Sequence, residues 1–248
     1  MFDRMPSVSK HSLANRKFLP HGLVLLHEDR DILVVDKPAG LLTMGTDRDK
    51  TRTAYFFLTD YVRKGYSKSR NRIFIVHRLD RETSGIVIFA KNVEAKFRLQ
   101  DQWKETEKKY LAVVHGQCAQ KSGTVTTYLA ENKARVVYST SDRTKGKLSR
   151  TGYQVLKQTK DFTLLELDLL TGRKHQIRVH LAGIGHPVVG DQKYGNGDRD
   201  YTRLALHARS ISFKHPFSGE QVIVETKVPV YFNQLVGKVE LKSGLNLV

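Results

Sequence analysis

The apolar positions of the chain fall into short blocks parted by dense polar turns, and their period changes from block to block. Ile32-Leu33-Val34-Val35 is an unbroken β-branched run closed by Asp36-Lys37-Pro38-Ala39-Gly40, which predicts a buried strand and a turn. Over 51–64 the spacing switches to i, i+3, i+4 and i+7 at Ala54, Phe57, Leu58 and Tyr61, the stripe of an amphipathic helix. Ile73–Val76 and Gly85–Ala90 are again continuous apolar runs, two strands around the polar segment His77–Ser84. Asn92 is placed to cap a helix that carries Ala95, Leu99 and Trp103. Tyr110–Val114 predicts a strand stopped by His115-Gly116, and 117–150 reads as a hairpin. Leu165, Leu167 and Leu169 alternate with Glu166 and Asp168, a half-buried strand over 163–170. Residues 173–182 read as a helix, and 204–213 and 221–230 as further strands.

Strands outnumber helices and do not alternate with them, so the pattern predicts an α+β fold with a large, mostly antiparallel mixed sheet flanked by helices and loops. No linker divides the chain after its start. The expectation is a loosely held N-terminal arm at 1–20 and one domain over 21–248.

Composition narrows the picture. With 40% hydrophobic and 9% aromatic residues the chain has too much apolar content to stay unfolded. The single cysteine, Cys118, excludes an intramolecular disulfide and a zinc site built on several thiolates, and it suits a reducing, cytoplasmic setting. No run approaches the ~18 apolar residues of a membrane span, and the first residues lack the apolar stretch of a signal peptide. The formal net charge of +17 creates a field that attracts polyanions. Nucleic acid, an acidic surface or plain solvation of the cations all fit that surplus, and the motifs must choose.

His77-Arg78-Leu79-Asp80-Arg81-Glu82-Thr83-Ser84-Gly85 packs an imidazole, guanidiniums, carboxylates and hydroxyls between two apolar strands. Burying such groups is costly unless they are paired, so the segment is either a self-bonded polar turn or an active-site loop that presents one carboxylate near a cation. Thr171–Leu181 is the second candidate; a helix from about Arg173 sets Lys174, Arg178 and Leu181 on one face. His175 and His180 stand five apart rather than four, which does not make a helical zinc pair. Arg63, Lys64, Lys68, Arg70 and Arg72 share a loop with Tyr66, and Lys133, Arg135, Arg143, Lys145, Lys147 and Arg150 form a second cationic stretch; both fit an RNA-facing loop or a solvated one. Phosphate-loop, dinucleotide and nucleophile-elbow patterns do not occur.

Taken together, the segments resemble the RluA-type pseudouridine synthases. His77–Ala90 resembles that family's catalytic motif, and Asp36–Leu41 its first motif. Lys108-Lys109-Tyr110 is similar to its Lys-x-Tyr motif. Thr171-Gly172-Arg173 through Gly190-Asp191-Gln192-Lys193-Tyr194-Gly195 is similar to its third, and Arg203–Ala208 to its last. Lys174, where Thr or Ser is usual, and Thr43-Met44-Gly45, where Val-His-Pro is common, are departures expected to leave the catalytic roles untouched. The resemblance implies isomerisation of a uridine within structured ribosomal RNA or tRNA, with no cofactor, no metal and no nucleotide, by a cytoplasmic monomer that does not engage membranes. By the same resemblance Asp80 is the catalytic aspartate, Tyr110 stacks on the flipped base, Arg178 pairs with the aspartate and Leu206 lines the uracil pocket. Arg78 and Lys108 join the substrate-binding set, together with Arg63, Lys64, Lys68, Arg70 and Arg72. The S4-type RNA-binding domain common in the family is expected to be absent, which leaves RNA binding to the basic surface of the catalytic domain. Two other readings stand beside this one. One is a catalytically silent RNA-binding or ribosome-assembly protein on the same fold; the other is a hydrolase using Asp80, Glu82 and a histidine.

Overall fold

Two strand segments whose residues are buried on both faces organise the molecule. In the computed structural model, which describes residues 8–10, 17–47, 49–195, 197 and 200–241, the run Ile32–Lys37 is strand β4 and Ser84–Ala90 is β6; β2 (Lys17–Phe18), β3 (Val24–Glu28) and β5 (Phe74–Ile75) complete the strands of this half, while β1 (Val8–Lys10) pairs with residues 221–223 of the other half. Alternate residues of β4 and β6 feed two cores. Leu33, Val35, Val87 and Phe89 join the larger cluster, and Ile32, Val34, Ile86, Ile88 and Ala90 join the smaller. This is why both segments read as continuous apolar runs rather than alternating ones.

The helix α1 (Ala54–Arg63) is capped by Thr53, whose hydroxyl accepts the Phe56 N–H, and it lays Ala54 and Leu58 on the larger core. Its chain turns away at Lys64, in the left-handed conformation, followed by Gly65. The helix α2 (Val93–Asp101) is capped by Asn92 and carries Ala95 and Leu99 into the smaller core. Trp103, expected on this helix, lies beyond its end in a turn closed by its own N–H to Gln100 O, and stacks on His77 with ring centroids 4.5 Å apart.

The second half is an antiparallel array of β7 (Glu107–His115), β8 (Ser122–Glu131), β9 (Val137–Thr140), β10 (Lys147–Gln158) and β11 (Phe162–Leu169), followed by α3 (Gln176–Gly183), β12 (Leu206–Lys214), β13 (Gln221–Glu225) and α4 (Val230–Val236). All strands belong to one sheet, with the path β2-β3-β4-β6-β12-β7-β11-β10-β8-β9. Among the described strands every pairing is antiparallel except β1 with β13 and β6 with β12. The mixed, mostly antiparallel α+β architecture expected from sequence is therefore present.

The join between halves is narrow. The strands β6 and β12 pair over only His207↔Ser84 and Ala208↔Gly85. Gly85 sits at φ +113°, and a Cβ there would lie 2.3 Å from Ala208 O, so only glycine lets the two backbones meet. Beyond a bulge between Ala208 and Ser210, β12 takes β13 as its partner while β6 takes β5, and the smaller core fills the fork.

Several local expectations are corrected. Of the arm expected at 1–20 to be loose, the described residues include β1, paired in parallel with Gln221–Ile223, and β2, paired with Val24–Leu25. The strand expected over 221–230 stops at Glu225, because Pro229 stands at the start of α4 and has no N–H for a ladder. The helix expected from 173 starts at Gln176, because His175 adopts a left-handed φ of 53°. Gln176 holds that turn: its Oε1 accepts from Thr171 Oγ1 and the Arg173 N–H, while its Nε2 donates to Arg150 O and Thr151 Oγ1. Lys174 thus precedes the helix instead of sharing a face with Arg178. Among the described residues no helix is long and apolar enough to cross a membrane.

Three imidazoles, His180 and His207 buried and His77 half-buried, tie strands and helices together. Ser84 Oγ lies 2.9 Å from His207 Nδ1, and His207 Nε2 lies 2.6 Å from Thr226 Oγ1. His180 of α3 sits between Thr127 and Thr151, and His77 Nε2 accepts the Ile88 N–H. Burial pushes His77 and His207 down to about 3 and His180 to about 4, with nearby cations adding to the shift for the first two. Their contribution to stability is complete above the ordinary histidine value near 6.5 and is lost as pH falls below it, because the unfolded chain takes up protons the folded one refuses. Each imidazole is expected to cost up to about 1.4 kcal/mol per pH unit in that window. Urea midpoints should therefore fall between pH 7 and pH 5, before the depressed carboxylates of Asp29 and Asp191 begin to protonate in the unfolded chain; a flat profile would show that these rings titrate in the folded state. Gly85→Ala is expected to destabilise the fold by about 3 kcal/mol or more, read by the same denaturation curves, through steric conflict with Ala208.

Candidate active site

At the narrow join, the segments leading into β6 and β12 enter a cavity of about 490 Å3, closed on its other sides by β7, by 172–175 and by the first turn of α3. Asp80 comes from the turn before β6 and Leu206 from the first residue of β12; Lys108 and Tyr110 alternate along β7, and Arg178 comes from α3. The volume suits one nucleoside-sized ligand.

Main-chain and side-chain bonds fix the Asp80 turn before any ligand arrives. Asp80 O accepts the Thr83 N–H, and Gly40 N–H donates to Arg81 O. The Thr43 hydroxyl brackets Leu79, donating to its carbonyl and accepting its N–H. Beneath the turn Lys37 is fully buried, and its ammonium donates to the carbonyls of Pro38, Leu41 and Arg81. Burial pushes this lysine down to about 8, with the charges of Glu82, Asp80 and Asp36 opposing the shift. One side chain thus gathers the first motif and the Asp80 turn around itself.

Arg178 is the electrostatic centre. Its Nε and Nη2 donate to the two carboxylate oxygens of the fully buried Asp191 at 2.7 Å, and its Nη1 reaches Asp80 Oδ2 at 3.4 Å. Burial works to lower the Arg178 pKa, but the hydrogen bonds and charge of Asp191, joined by Asp80, raise it on balance; burial likewise works to raise Asp191, and Arg178 holds it low. The guanidinium is a fixed, bidentate cation whose third face is turned to Asp80. His175 Nε2 approaches the same Asp80 oxygen at 3.7 Å. Its Nδ1 lies 2.7 Å from the Tyr194 hydroxyl, which accepts the Val137 N–H. Tyr194 thus holds the ring with Nε2 turned toward Asp80. Burial lowers the His175 pKa against the opposing pull of Asp80.

The remaining walls are a nearly buried Tyr110, whose hydroxyl is pushed above its ordinary value by burial and by the Asp80 charge, and the apolar Leu206. Lys108 donates to Trp103 O at 2.9 Å and lies 5.0 Å from the centre of that ring; burial pushes it down to about 8. Arg78 stands exposed at the rim. A flat ring, an apolar wall, a held carboxylate and peripheral cations can grip a flat, polar ring that carries an anionic group and set a carboxylate oxygen beside it.

The structure brings six of the sequence-derived candidates into this cavity: Asp80, Tyr110, Arg178, Arg78, Leu206 and Lys108. Arg63, Lys64, Lys68, Arg70 and Arg72 do not line it. Arg63 Nε donates to Asn71 O within its own loop, whereas Lys64 and Arg72 line a separate recess with Lys17, Arg30 and Lys91. Both departures from the family pattern, Lys174 and Thr43-Met44-Gly45, do line the cavity. Sequence reasoning missed Asp191 as the main partner of Arg178, and it missed His175 and Lys37. The signal for Asp191 was its place in the Gly190–Gly195 stretch of the third motif, and the structure holds that turn close: a Cβ at Gly190 would fall 2.1 Å from Arg203 O. Asp29, Asp31 and His215 bring ligand-type atoms together outside the cavity. Asp29 already accepts N–H bonds from Asp31 and Ile32 and faces His27 and His215, and His215 Nδ1 accepts from Phe217 and Ser218, so the group is a hydrogen-bonded turn.

A family model described as RNA pseudouridylate synthase matches residues 31–183. A ribosomal large subunit pseudouridine synthase C of Rickettsia bellii is 38% identical over 218 residues, covering 85% of this chain and 70% of the relative. The uncharacterized RNA pseudouridine synthase YlyB of Bacillus subtilis is 38% identical over 221 residues, covering 88% and 73%. Among solved structures, human RNA pseudouridylate synthase domain containing 4 superposes with a TM-score of 0.70 at 25% identity, covering 84% of this chain and 89% of that one. On a match of this extent the chain belongs to the RNA pseudouridylate synthase family, isomerases that convert uridine in RNA to pseudouridine.

Proposed function

We propose that the chain acts on ribosomal RNA of the large subunit, with Asp80 as the catalytic carboxylate. The observation that carries the catalytic assignment is the placement of Asp80 against the Arg178 cation, itself fixed by Asp191, in a cavity walled by Tyr110 and Leu206. The choice of RNA is supported by the ribosomal large-subunit relatives.

In this reading the target uridine leaves its stack and its base enters the cavity against Tyr110 and Leu206. The bond from ribose C1′ to N1 breaks, the base turns, and C1′ rejoins at C5; C5 loses its proton and N1 gains one, so atoms balance without any co-reactant. Both held contacts of Asp80 engage Oδ2, which leaves Oδ1 outside them to meet the ribose or the ring. Tyr110 stays protonated near neutral pH and serves as a stacking surface and hydrogen-bond donor. Affinity for the rest of the RNA comes from cations spread over the surface, including the 63–72 loop.

Ribosomal RNA labelled with tritium at uracil C5, taken from cells that lack the gene, is expected to release tritium with wild-type enzyme and less than about 1% of that rate with Asp80→Asn, while binding weakens less than about tenfold. Release from tRNA alone would overturn the ribosomal assignment. Tyr110→Ala is expected to lose about 1–3 kcal/mol of base binding and Tyr110→Phe little, measured with the same RNA. Changing the exposed Lys64, Lys68 and Arg70 to Ser should lower the slope of log affinity against log salt by about 0.7 for each phosphate that is no longer neutralised; an unchanged slope would assign the loop to solvent.

A further inference from the structure

Beside the active cavity lies a second recess of about 450 Å3, and Leu42 and Arg81 line both. Its floor is the first motif, Pro38 to Leu41, and its outer wall is formed by His21, Phe57 and Arg52. The His21 and Phe57 rings are stacked, with centroids 3.6 Å apart and planes 16° from parallel, and Phe56 meets Phe57 edge-on at 5.8 Å. His21 is exposed and holds a left-handed backbone at φ 60°, ψ 26°, a conformation that a residue with a Cβ rarely adopts. Bonds on either side hold it there: Leu19 N–H donates to Leu23 O, and Leu23 N–H to Pro20 O. The turn thus sets an imidazole flat on an aromatic ring at the mouth of a recess rather than in a core.

The charges of the recess favour an anion. Arg52 and Arg81 are both exposed, and the acid that shares the recess, Asp49, has one oxygen engaged by the Arg52 N–H. Arg81 uses Nε to reach Gly40 O and Glu82, which leaves its terminal nitrogens outside those bonds. An exposed imidazole stacked on an aromatic ring at a recess, with guanidiniums at the side, forms a combination that grips a base and its phosphate together.

We propose that this recess is a second nucleotide subsite, which takes the nucleotide next to the target uridine along the same RNA strand. It rests on the reading of the neighbouring cavity as the uridine site. The base extends the His21–Phe57 stack, and the phosphate between the two nucleotides meets Arg81, the wall that the two recesses share. Arg52 receives the phosphate on the far side. The subsite holds the strand open beside the flipped base and reads whether the neighbouring position carries a base at all.

The test uses short fluorescein-labelled oligoribonucleotides in which all positions are abasic except one uridine, or except two adjacent bases. For the wild-type chain the second base should tighten binding about tenfold. In His21→Asn, which tolerates the left-handed backbone and removes the ring, the second base should add nothing. Arg52→Gln should keep the gain from the second base and lower the salt slope by about 0.7. Both side chains are exposed, so melting temperatures should match the wild type. An equal gain in wild type and His21→Asn, or no gain in the wild type, overturns the subsite. A His21-dependent gain in a wild-type chain that isomerises no RNA supports the subsite and counts instead against the uridine chemistry next to it.

Discussion

The contact of Gly85 with Ala208 is the constraint on which the rest of the structure depends. A parallel pairing only two residues long joins the half built on β4 and β6 to the half built on β7 and β11. Its closeness, which excludes a Cβ on one side, sets the Asp80 turn directly beside Leu206 and across from Tyr110. On one side of the join the strands diverge and a hydrophobic core wedges them apart; on the other the ligand cavity opens. Core and cavity are two outcomes of one junction, and the buried Ser84–His207–Thr226 chain pins it from below.

Charge is arranged around the same point with little freedom. Asp191 takes the stronger share of Arg178, in a bidentate pair out of water, and Asp80 receives what the geometry leaves over. That inequality matters for chemistry. A carboxylate locked into a bidentate pair has its lone pairs occupied, whereas one met at a single oxygen from 3.4 Å stays available while still facing a cation. Asp191 acts as the anchor of the guanidinium, and Asp80 is held at one oxygen only.

How much of this was legible in the chain depends on whether a feature is local. The strands β4 and β6 were plain because burial on both faces writes a continuous apolar run, and α1 was plain because one face meets one core. The start of α3 was not, since His175 takes a left-handed backbone only because the Gln176 amide is satisfied by Arg150 and Thr151, residues distant in sequence. The short helix α4 left no signal beyond Pro229. For the site, Asp80, Tyr110, Arg178 and Leu206 were found through motif resemblance rather than through periodicity. The burial of Lys37, which looks in sequence like any turn lysine, follows from three carbonyls that converge only after folding. Thr43 and Lys174 looked peripheral for the same reason.

The path of the sheet also has a temporal side. The strand β12, drawn from Leu206–Lys214, sits between β6 and β7, although both of those precede it by long stretches of chain. During synthesis the edges of β6 and β7 therefore leave the ribosome unpaired and apolar, and they wait for a strand made near the end. A chain that lacks β12 holds most of the side chains that line the cavity but not the strand that brings them to one place. Assembly of the cavity therefore waits on a strand that follows β7 only after all of β8 to α3.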